Sequence, residues 1–304
     1  MSVYRGALRR LMRAYPTLNL RIAVNPSQHE ADVVLPGLRY EDIDYTGQPD
    51  IWRIYDMMGR VEFAAFFQDY SFIDFTSLYK KGIGAFAKAV SLEIKKGFYQ
   101  TTTPKAPLHV HLKLDHIGET TFTVKSSLST GGKHTPSVNI QSQYTLQHVE
   151  SKLVEKIPNW WRIKFAPHIS ADAQKLIIYP PMDIPKQVFS HSLTVPRIDT
   201  DIHTRTRCSS YAKYFMDNAS IASHRAFYPN VSTSFHELLV KKMKMVYFSA
   251  SSWGDTLTAE TWEDEEIPRT LHCNVIKQGQ HIWYGSMVFH SEPSDISEPS
   301  LTTI

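Results

Sequence analysis

Residues 42–58 read DIDYTGQPDIWRIYDMM and residues 199–215 read DTDIHTRTRCSSYAKYF, and the two stretches follow the same pattern. In both, an Asp-x-Asp pair leads through a short polar loop into a segment whose apolar residues follow helical spacing. Asp, Thr and Gly are common loop residues, and Asp50 suits the N-cap of a helix. The chain therefore contains the same loop-helix unit twice.

Each loop is followed by a predicted helix of about 15–20 residues. The first is expected at about residues 50–69 and the second at about residues 209–228, where Pro229 ends it. The apolar residues with helical spacing in the first helix are Ile51, Ile54, Tyr55, Met58, Val61, Ala65 and Phe66.

Alternating strands follow each helix. Residues 108–115 alternate apolar and polar side chains, which is typical of a half-buried strand. Further strands are expected at 122–124 and 138–146 in the first half, and at 238–248, 257–261, 271–275 and 282–289 in the second. One long helix with antiparallel strands, occurring twice, predicts an α+β fold.

Composition divides the chain into five segments. Prolines concentrate between residues 158 and 196, which indicates an extended linker rather than a third domain. We expect an N-terminal basic segment at 1–32, a first domain at 33–150 and a proline-rich linker at 151–187. A second domain at 188–290 and a disordered tail at 291–304, rich in Ser, Pro and Glu, complete the chain.

The overall composition excludes several classes of protein. Lys plus Arg number 33 and Asp plus Glu number 30 among 304 residues, a net charge of +3 that is too balanced for a typical nucleic-acid binder. Cys208 and Cys273 are too few for a disulfide framework or a zinc site. No apolar run is long enough to span a bilayer. We therefore expect a soluble intracellular protein.

The N-terminal segment is rich in arginine and has no acidic residue before Glu30. Such a segment is typical of a mitochondrial transit peptide, although a solvated surface helix fits the same pattern. The expected location is cytoplasmic or mitochondrial.

The repeated loop resembles the hotdog-fold acyl thioesterases, whose loop pattern is D-x-D-x-x-G-H-V-N-N-x-x-Y. The first copy keeps the Asp pair and Gly47, with Gln48 at the His position and Asp50 at an Asn position. The second copy keeps the Asp pair and Tyr211, whereas the Gly, His and Asn positions hold Thr204, Arg205 and Arg207. The resemblance covers about residues 33–290.

This resemblance implies a double hotdog, with two antiparallel sheets that each wrap a long central helix. Within this superfamily, the chain resembles the 4-hydroxybenzoyl-CoA thioesterases and the plant acyl-ACP thioesterases. It implies hydrolysis of fatty acyl-CoA or acyl-carrier-protein thioesters without a metal or organic cofactor. The expected partner is the acyl-CoA or the acyl-carrier protein, with no nucleic acid, and a homodimer of double-hotdog chains is left open.

The candidate catalytic residues are Asp44, Gln48, Asp201 and His203. Thioester hydrolysis needs a base or a nucleophile, and either aspartate could supply it. His203 could act as a base near neutral pH, and Gln48 could orient a water molecule. The amides near Gly47 and Gln48 could stabilise the oxyanion, because they precede a helix N-terminus.

The candidate substrate-binding residues are Gly47, Arg205 and Arg207. A glycine lets the backbone approach a ligand closely, and arginine pairs well with phosphates such as those of coenzyme A. Each residue also has a structural explanation, since aspartates often cap loops and arginines are often solvated. Glu62 on the first helix and Asp217 or His224 on the second are weaker candidates, as is the thiol of Cys208 at a helix N-terminus.

Three functions remain open. The first is an acyl-thioester hydrolase in which a loop aspartate promotes attack by water. The second is a non-catalytic acyl-binding or scaffold protein, which the replaced His and Asn positions favour. The third is a hydratase or dehydratase, which ranks last because no D-x-x-x-x-H loop follows either Asp pair.

Overall fold

The computed structural model describes residues 21–25, 29–67, 72–100, 102–132, 135–231 and 235–290. Residues 1–20 of the predicted N-terminal basic segment and the whole predicted C-terminal tail lie outside these residues. Nowhere in the described ranges is there a helix both long and apolar enough to cross a membrane.

In the described residues, eleven strands form one antiparallel sheet in the order β1-β2-β4-β5-β6-β3-β8-β11-β10-β9-β7. The first-half strands are β1 (Arg21–Asn25), β2 (Glu30–Leu35), β3 (Ile83–Ile94), β4 (Leu108–Ile117), β5 (Thr121–Thr130) and β6 (Val138–His148). The second-half strands are β7 (Phe189–Thr194), β8 (Val240–Tyr247), β9 (Thr256–Glu263), β10 (Thr270–Lys277) and β11 (Gln280–Phe289).

The prediction of two separate sheets needs correction, because β3 and β8 pair and join the halves into one sheet. The pairing runs from Ala89 opposite Val246 to Glu93 opposite Lys242. The sequence pattern predicted no strand at β3, whose residues IGAFAKAVSLEI contain many small side chains. Gly and Ala are depleted in strands, so the alternation that identifies a strand is weak here.

Four α-helices accompany the sheet in the described part of the chain, namely α1 (Ile51–Phe66), α2 (Phe75–Lys80), α3 (Asn159–Phe165) and α4 (Cys208–His224). The long helices α1 and α4 are those that the sequence predicts, although both end earlier than expected. They pack against each other, and α4 also packs against the second-half strands. The α+β prediction is therefore confirmed.

The core lies between the long helices and one face of the sheet. Side chains that are paired across neighbouring strands share a face. Leu112, Ile140, Leu92 and Met243 occupy one such row, and all are buried. The adjacent row, which points away from the core, carries Lys113, Lys125, Gln141, Ser91 and Lys244.

Two segments that begin outside the expected first domain, residues 33–150, contact the first half. Strands β1 and β2 belong to the first-half sheet although they begin before residue 33. Helix α3 lies within the proline-rich linker, where Trp161 is fully buried and donates its indole N–H to the carbonyl of Ile73 at 2.7 Å. This part of the linker therefore covers the core of the first half.

Candidate active site

The two predicted loops have the same backbone hydrogen bonds at equivalent positions. The amide of Asp44 donates to the carbonyl of Gln48 at 2.8 Å, and the amide of Asp201 donates to that of Arg205 at 2.8 Å. The amides of Asp50 and Arg207, at the ends of the loops, donate to the carbonyls of Asp42 and Asp199 at 2.9 and 2.8 Å. The internal repeat is therefore present in the backbone conformation as well as in the sequence.

Both loops use the left-handed region of backbone conformation at the same position. Gly47 has a φ of +83° and Thr204, its counterpart, has a φ of +60°. Glycine adopts this conformation freely, whereas a β-branched residue is strained there. The second loop therefore keeps the shape of the first although its sequence is less suited to it.

The carboxylate of Asp44 holds the first loop together. Its Oδ1 accepts hydrogen bonds from the amide of Thr46 at 2.9 Å, the hydroxyl of Thr46 at 2.6 Å and the amide of Gln48 at 3.1 Å. Asp201 does the same in the second loop, where Oδ1 accepts from the amides of His203 at 2.8 Å and Arg205 at 3.0 Å. Both aspartates thus stabilise their loops, and their catalytic role stays a prediction.

The expected oxyanion donors near Gly47 are already engaged. The amide of Gly47 donates to the carbonyl of Asp44 at 3.1 Å, and the amide of Gln48 donates to the Asp44 carboxylate. The first amides of a helix have no intrahelical partner. The amides of Ile51 and Trp52, in the first turn of α1, are therefore better placed to stabilise a developing negative charge.

A small cleft of about 30 Å³ lies where the first loop meets the second half. Its polar wall is formed by Asp44, Gln48 and Asp50, all close to the N-terminus of α1. The opposite wall comes mainly from the second half and is apolar, consisting of Met216, Phe235, Leu238, Leu239 and Val240. The cleft therefore combines a carboxylate pair with an apolar wall.

Asp50 has the most useful acid-base properties in this cleft. Burial raises the pKa of its carboxyl to about 6, aided by the negative charges of Asp44 and Asp217. Arg53, whose Nε lies 3.8 Å from the carboxylate, and a hydrogen bond from Trp52 oppose the increase. Sequence reasoning assigned Asp50 only an N-cap role, yet its carboxylate makes no capping hydrogen bond. The only sequence signal was an acid at a motif Asn position.

Gln48 lines the same cleft and carries an unpaired acceptor. Its side-chain oxygen Oε1 is buried and has no hydrogen-bond partner among the described residues. A buried polar atom without a partner costs about 1–3 kcal/mol, which a bound donor would offset. Gln48 therefore has an acceptor that a donor reaching its side-chain amide would satisfy.

In the second loop, the position equivalent to Gln48 holds Arg205, whose side chain contacts the first half. The guanidinium of Arg205 lies 3.9 Å from the centre of the Phe86 ring, and its Nη1 donates to Oε1 of Gln147 at 3.2 Å. Arg205 is only 9% exposed. This placement favours a role in holding the halves together over phosphate binding, which stays a prediction.

The neighbouring predicted residues of the second loop have separate environments. His203 packs its ring at 6.1 Å from that of Phe86, and burial lowers its pKa despite the nearby Asp201 carboxylate. Arg207 is exposed and donates from Nε to the carbonyl of Thr200 at 3.2 Å. These two side chains do not join the polar wall of the first cleft.

Cys208 begins α4, a position where a thiol pKa can fall. The structure overturns that expectation, because burial, with the charges of Asp201 and Asp56, raises the pKa of the thiol to about 12. A nucleophilic role for Cys208, already the weaker prediction, has no support from this environment.

Glu62 lies in the core rather than on the solvated side of α1. It is 1% exposed, and its carboxylate accepts hydrogen bonds from Ser126 at 2.6 Å, Ser142 at 3.2 Å and the hydroxyl of Tyr144. Burial raises its pKa. Asp217 and His224 on α4, the other helix candidates, are exposed.

A larger groove of about 550 Å³ lies on the outer face of the first-half sheet. Its cationic side chains are already paired with carboxylates, since Lys113 contacts Glu30 at 3.1 Å and Lys125 contacts Asp115 at 2.7 Å. The charged side chains of the groove are therefore less available to a ligand than the polar groups of the small cleft at α1.

No family model matches the sequence, and no curated protein matches it closely. Solved structures do match. The chain is similar to a 12:0-ACP thioesterase from Umbellularia californica, with 10% identity, a TM-score of 0.68 and coverage of 86% of this chain and 97% of that one. An acyl-ACP thioesterase from Bacteroides thetaiotaomicron has 12% identity and a TM-score of 0.66, covering 88% of this chain and 100% of that one. The chain therefore has the fold of the hotdog acyl thioesterases, which confirms at the level of the fold the resemblance seen in the sequence.

Proposed function

We propose that the protein hydrolyses acyl thioesters of coenzyme A or acyl-carrier protein. The observation that carries this proposal is the cleft at the N-terminus of α1, where a carboxylate with a pKa of about 6 faces an apolar wall. A base with this pKa is largely deprotonated at neutral pH and can accept a proton from water. The fold shared with two thioesterases supports the same reaction.

The reaction that fits this cleft is direct attack by water. A loop aspartate removes a proton from water while the oxygen attacks the thioester carbonyl, and the first amides of α1 stabilise the oxyanion. Collapse of the tetrahedral intermediate breaks the carbon–sulfur bond. The leaving thiolate takes up the proton, giving a carboxylic acid and a free thiol.

The proposal includes the architecture implied by the resemblance. Each half would be a hotdog unit, in which one long helix packs on its own part of the sheet. The matching hydrogen bonds of the two loops and the central pairing of β3 with β8 support a duplicated arrangement. A cytoplasmic or mitochondrial location also remains part of the proposal.

A non-catalytic acyl-binding protein is the second candidate. The specific observation in its favour is that Asp44 and Asp201 each use a carboxylate oxygen to hold loop amides. In addition, the His positions of the family pattern hold Gln48 and Arg205. On this alternative the loops would only shape a surface for the acyl group.

Free-thiol release distinguishes the two candidates. The substrates are short- to long-chain acyl-CoAs and the corresponding acyl-carrier proteins, tested with wild type, Asp44→Asn and Asp201→Asn. Asparagine keeps an oxygen for the loop amides, so these variants remove charge while leaving the loop intact. We expect turnover by wild type on at least one carrier. Saturable binding of acyl-CoA with no turnover on any substrate would instead establish the binding protein.

A further inference from the structure

We infer that only the first of the two loops is a working hydrolytic site, in which Asp50 is the general base and Gln48 holds the attacking water. This inference rests on the proposed thioester hydrolysis and specifies the half and the residues that perform it. Its basis is the comparison of two loops with one backbone shape and different side chains.

The equivalent positions of the two loops carry opposite chemistry. Asp50 of the first loop corresponds to Arg207 of the second, and Gln48 corresponds to Arg205. Arginine has only hydrogen-bond donors and stays protonated in proteins, so it can neither accept a proton nor hold water through an acceptor. The second loop lacks both groups that the first loop presents.

The first cleft has the size and the polarity for a hydrolytic water. Its volume of about 30 Å³ leaves room for one or two water molecules. Asp50 and Gln48 both line the cleft, and Oε1 of Gln48 is a buried acceptor without a partner among the described residues, so each side chain carries one acceptor for a water molecule, which donates two hydrogen bonds. The wall formed by Met216, Phe235 and Val240 is apolar and offers no competing side-chain hydrogen-bond partner to such a water molecule.

The charges around Asp50 come from three parts of the molecule. Arg53 lies on the same helix, Asp44 lies in the loop, and Asp217 lies on α4 of the second half. Tyr99 also lines the cleft, but its hydroxyl donates to the carbonyl of Val240 at 2.7 Å. One cation against two further carboxylates, in a partly buried site, keeps Asp50 a stronger base than an exposed aspartate.

In the proposed step, the carboxylate of Asp50 takes one proton from the water as its oxygen bonds to the carbonyl carbon. The carbonyl π electrons move onto the oxygen, which faces the first amides of α1. When the intermediate collapses, the carbon–sulfur bond breaks and the sulfur carries away the electron pair. The proton on Asp50 is then transferred to the thiolate, which restores the base.

In the second loop, Arg205 has a structural role instead. Arg205 stacks on Phe86 of β3 and donates a hydrogen bond to Gln147 of β6. Its polar group is therefore engaged within the protein, whereas the equivalent Gln48 keeps an unpaired acceptor. The duplicated chain thus keeps one loop for chemistry and uses the other to fasten the halves.

The test is the pH dependence of kcat/KM for the best acyl-CoA substrate, measured with the full chain. Wild-type activity should rise as the pH increases through about 6, because Asp50 must lose its proton to act as base. Asp50→Asn should lower kcat by about 100-fold or more and abolish this rise. Gln48→Leu should lower kcat and leave the pH of the rise nearly unchanged, since the base is still present.

Asp74→Asn is the matched control, because Asp74 is also the N-cap residue of a first-half helix but lies outside the cleft. Its turnover should equal that of wild type, and circular dichroism should show that all variants fold. Asp50→Asn with wild-type turnover, or loss of the pH-dependent rise in Asp201→Asn instead, would overturn the inference alone. Absence of wild-type turnover on every thioester would overturn the proposed function as well.

Discussion

Glu62 places a carboxyl group in the core between α1 and the sheet, where its partners are the hydroxyls of Ser126, Ser142 and Tyr144. Hydroxyls stabilise a carboxylate less than a cation does, and desolvation disfavours the charged form. Burial therefore dominates and raises the pKa of Glu62. The side chain links folding stability to pH.

Glu62→Gln should weaken the dependence of stability on pH. The unfolded chain loses the Glu62 proton near 4.5, whereas the folded protein keeps it to higher pH. Stability contributed by the protonated group is therefore complete below pH 4.5 and decreases as the pH rises through the folded pKa. Urea unfolding of wild type and Glu62→Gln between pH 4 and 8 measures how the free energy of unfolding depends on pH. Glu265→Gln, a substitution at an exposed position, is the control. The same pH dependence in Glu62→Gln as in wild type would contradict the expectation.

Arg205→Ala should destabilise the protein by about 1–3 kcal/mol, since it removes the stacking on Phe86 and the hydrogen bond to Gln147. Arg205→Lys should recover only part of this loss, because an ammonium group cannot stack as a planar guanidinium does. Arg207→Ala, at an exposed position, should change the free energy of unfolding by less than about 0.5 kcal/mol. Equal decreases in the free energy of unfolding for Arg205→Ala and Arg207→Ala would argue against a stabilising role for the contacts of Arg205.

Among the secondary-structure elements, α1 can be predicted from its local sequence, whereas β3 cannot. Helix α1 was predicted from apolar spacing, and its residues Ile54, Met58 and Val61 are buried as that spacing requires. Strand β3 was not predicted, although it lies at the centre of the sheet between β6 and β8. Its small residues are tolerated because neighbouring strands satisfy its backbone on both sides.

Two glycines, one in α1 and one in β11, should respond in opposite ways to substitution by alanine. A Cβ at Gly59 in α1 meets no atom within 4 Å, so Gly59→Ala should stabilise the protein by up to about 1 kcal/mol through helix propensity. A Cβ at Gly285 in β11 would collide with the buried ring of Trp283, so Gly285→Ala should cost about 1–3 kcal/mol. Thermal and urea unfolding measure both, and a stabilised Gly285→Ala would show that the ring can move.

At the scale of the whole molecule, the continuous sheet couples the two halves. Besides the pairing of β3 with β8, the hydroxyls of Tyr55 on α1 and Tyr247 on β8 lie 3.1 Å apart in the buried interior. The Tyr247 hydroxyl also donates to the carbonyl of Cys208 at the start of α4. The halves should therefore unfold together, in a single cooperative transition.

A double-mutant cycle tests this coupling. Tyr55→Phe and Tyr247→Phe should each destabilise the protein, and the double variant should lose less than the sum by about 0.5–1.5 kcal/mol, the usual worth of a hydrogen bond. Fluorescence and far-UV circular dichroism should report the same midpoint for each variant. Additive losses, or two separate midpoints, would show that the halves are energetically independent.

At the candidate site, sequence reasoning identified the loops but not the group with the most suitable pKa. Asp44, Gln48 and Asp201 were singled out from the motif, and the structure places the first two beside the cleft. Asp50 was missed as a base because its pKa depends on burial and on Asp217, which lies far away in sequence. No local spacing can report such a contact.

The amino-acid sequence alone predicts the repeated loops, the two long helices and most of the antiparallel strands that follow them, though not β3. These features depend on interactions between residues close along the chain, such as turn hydrogen bonds to Asp44 and apolar spacing in α1. The joining of the sheet at β3 and β8, the partial burial of Asp50, the burial of Glu62 and the position of Arg205 against Phe86 follow from the folded structure instead. These features depend on desolvation and packing between distant segments, because the environment of a side chain is set by whatever the folded chain brings against it.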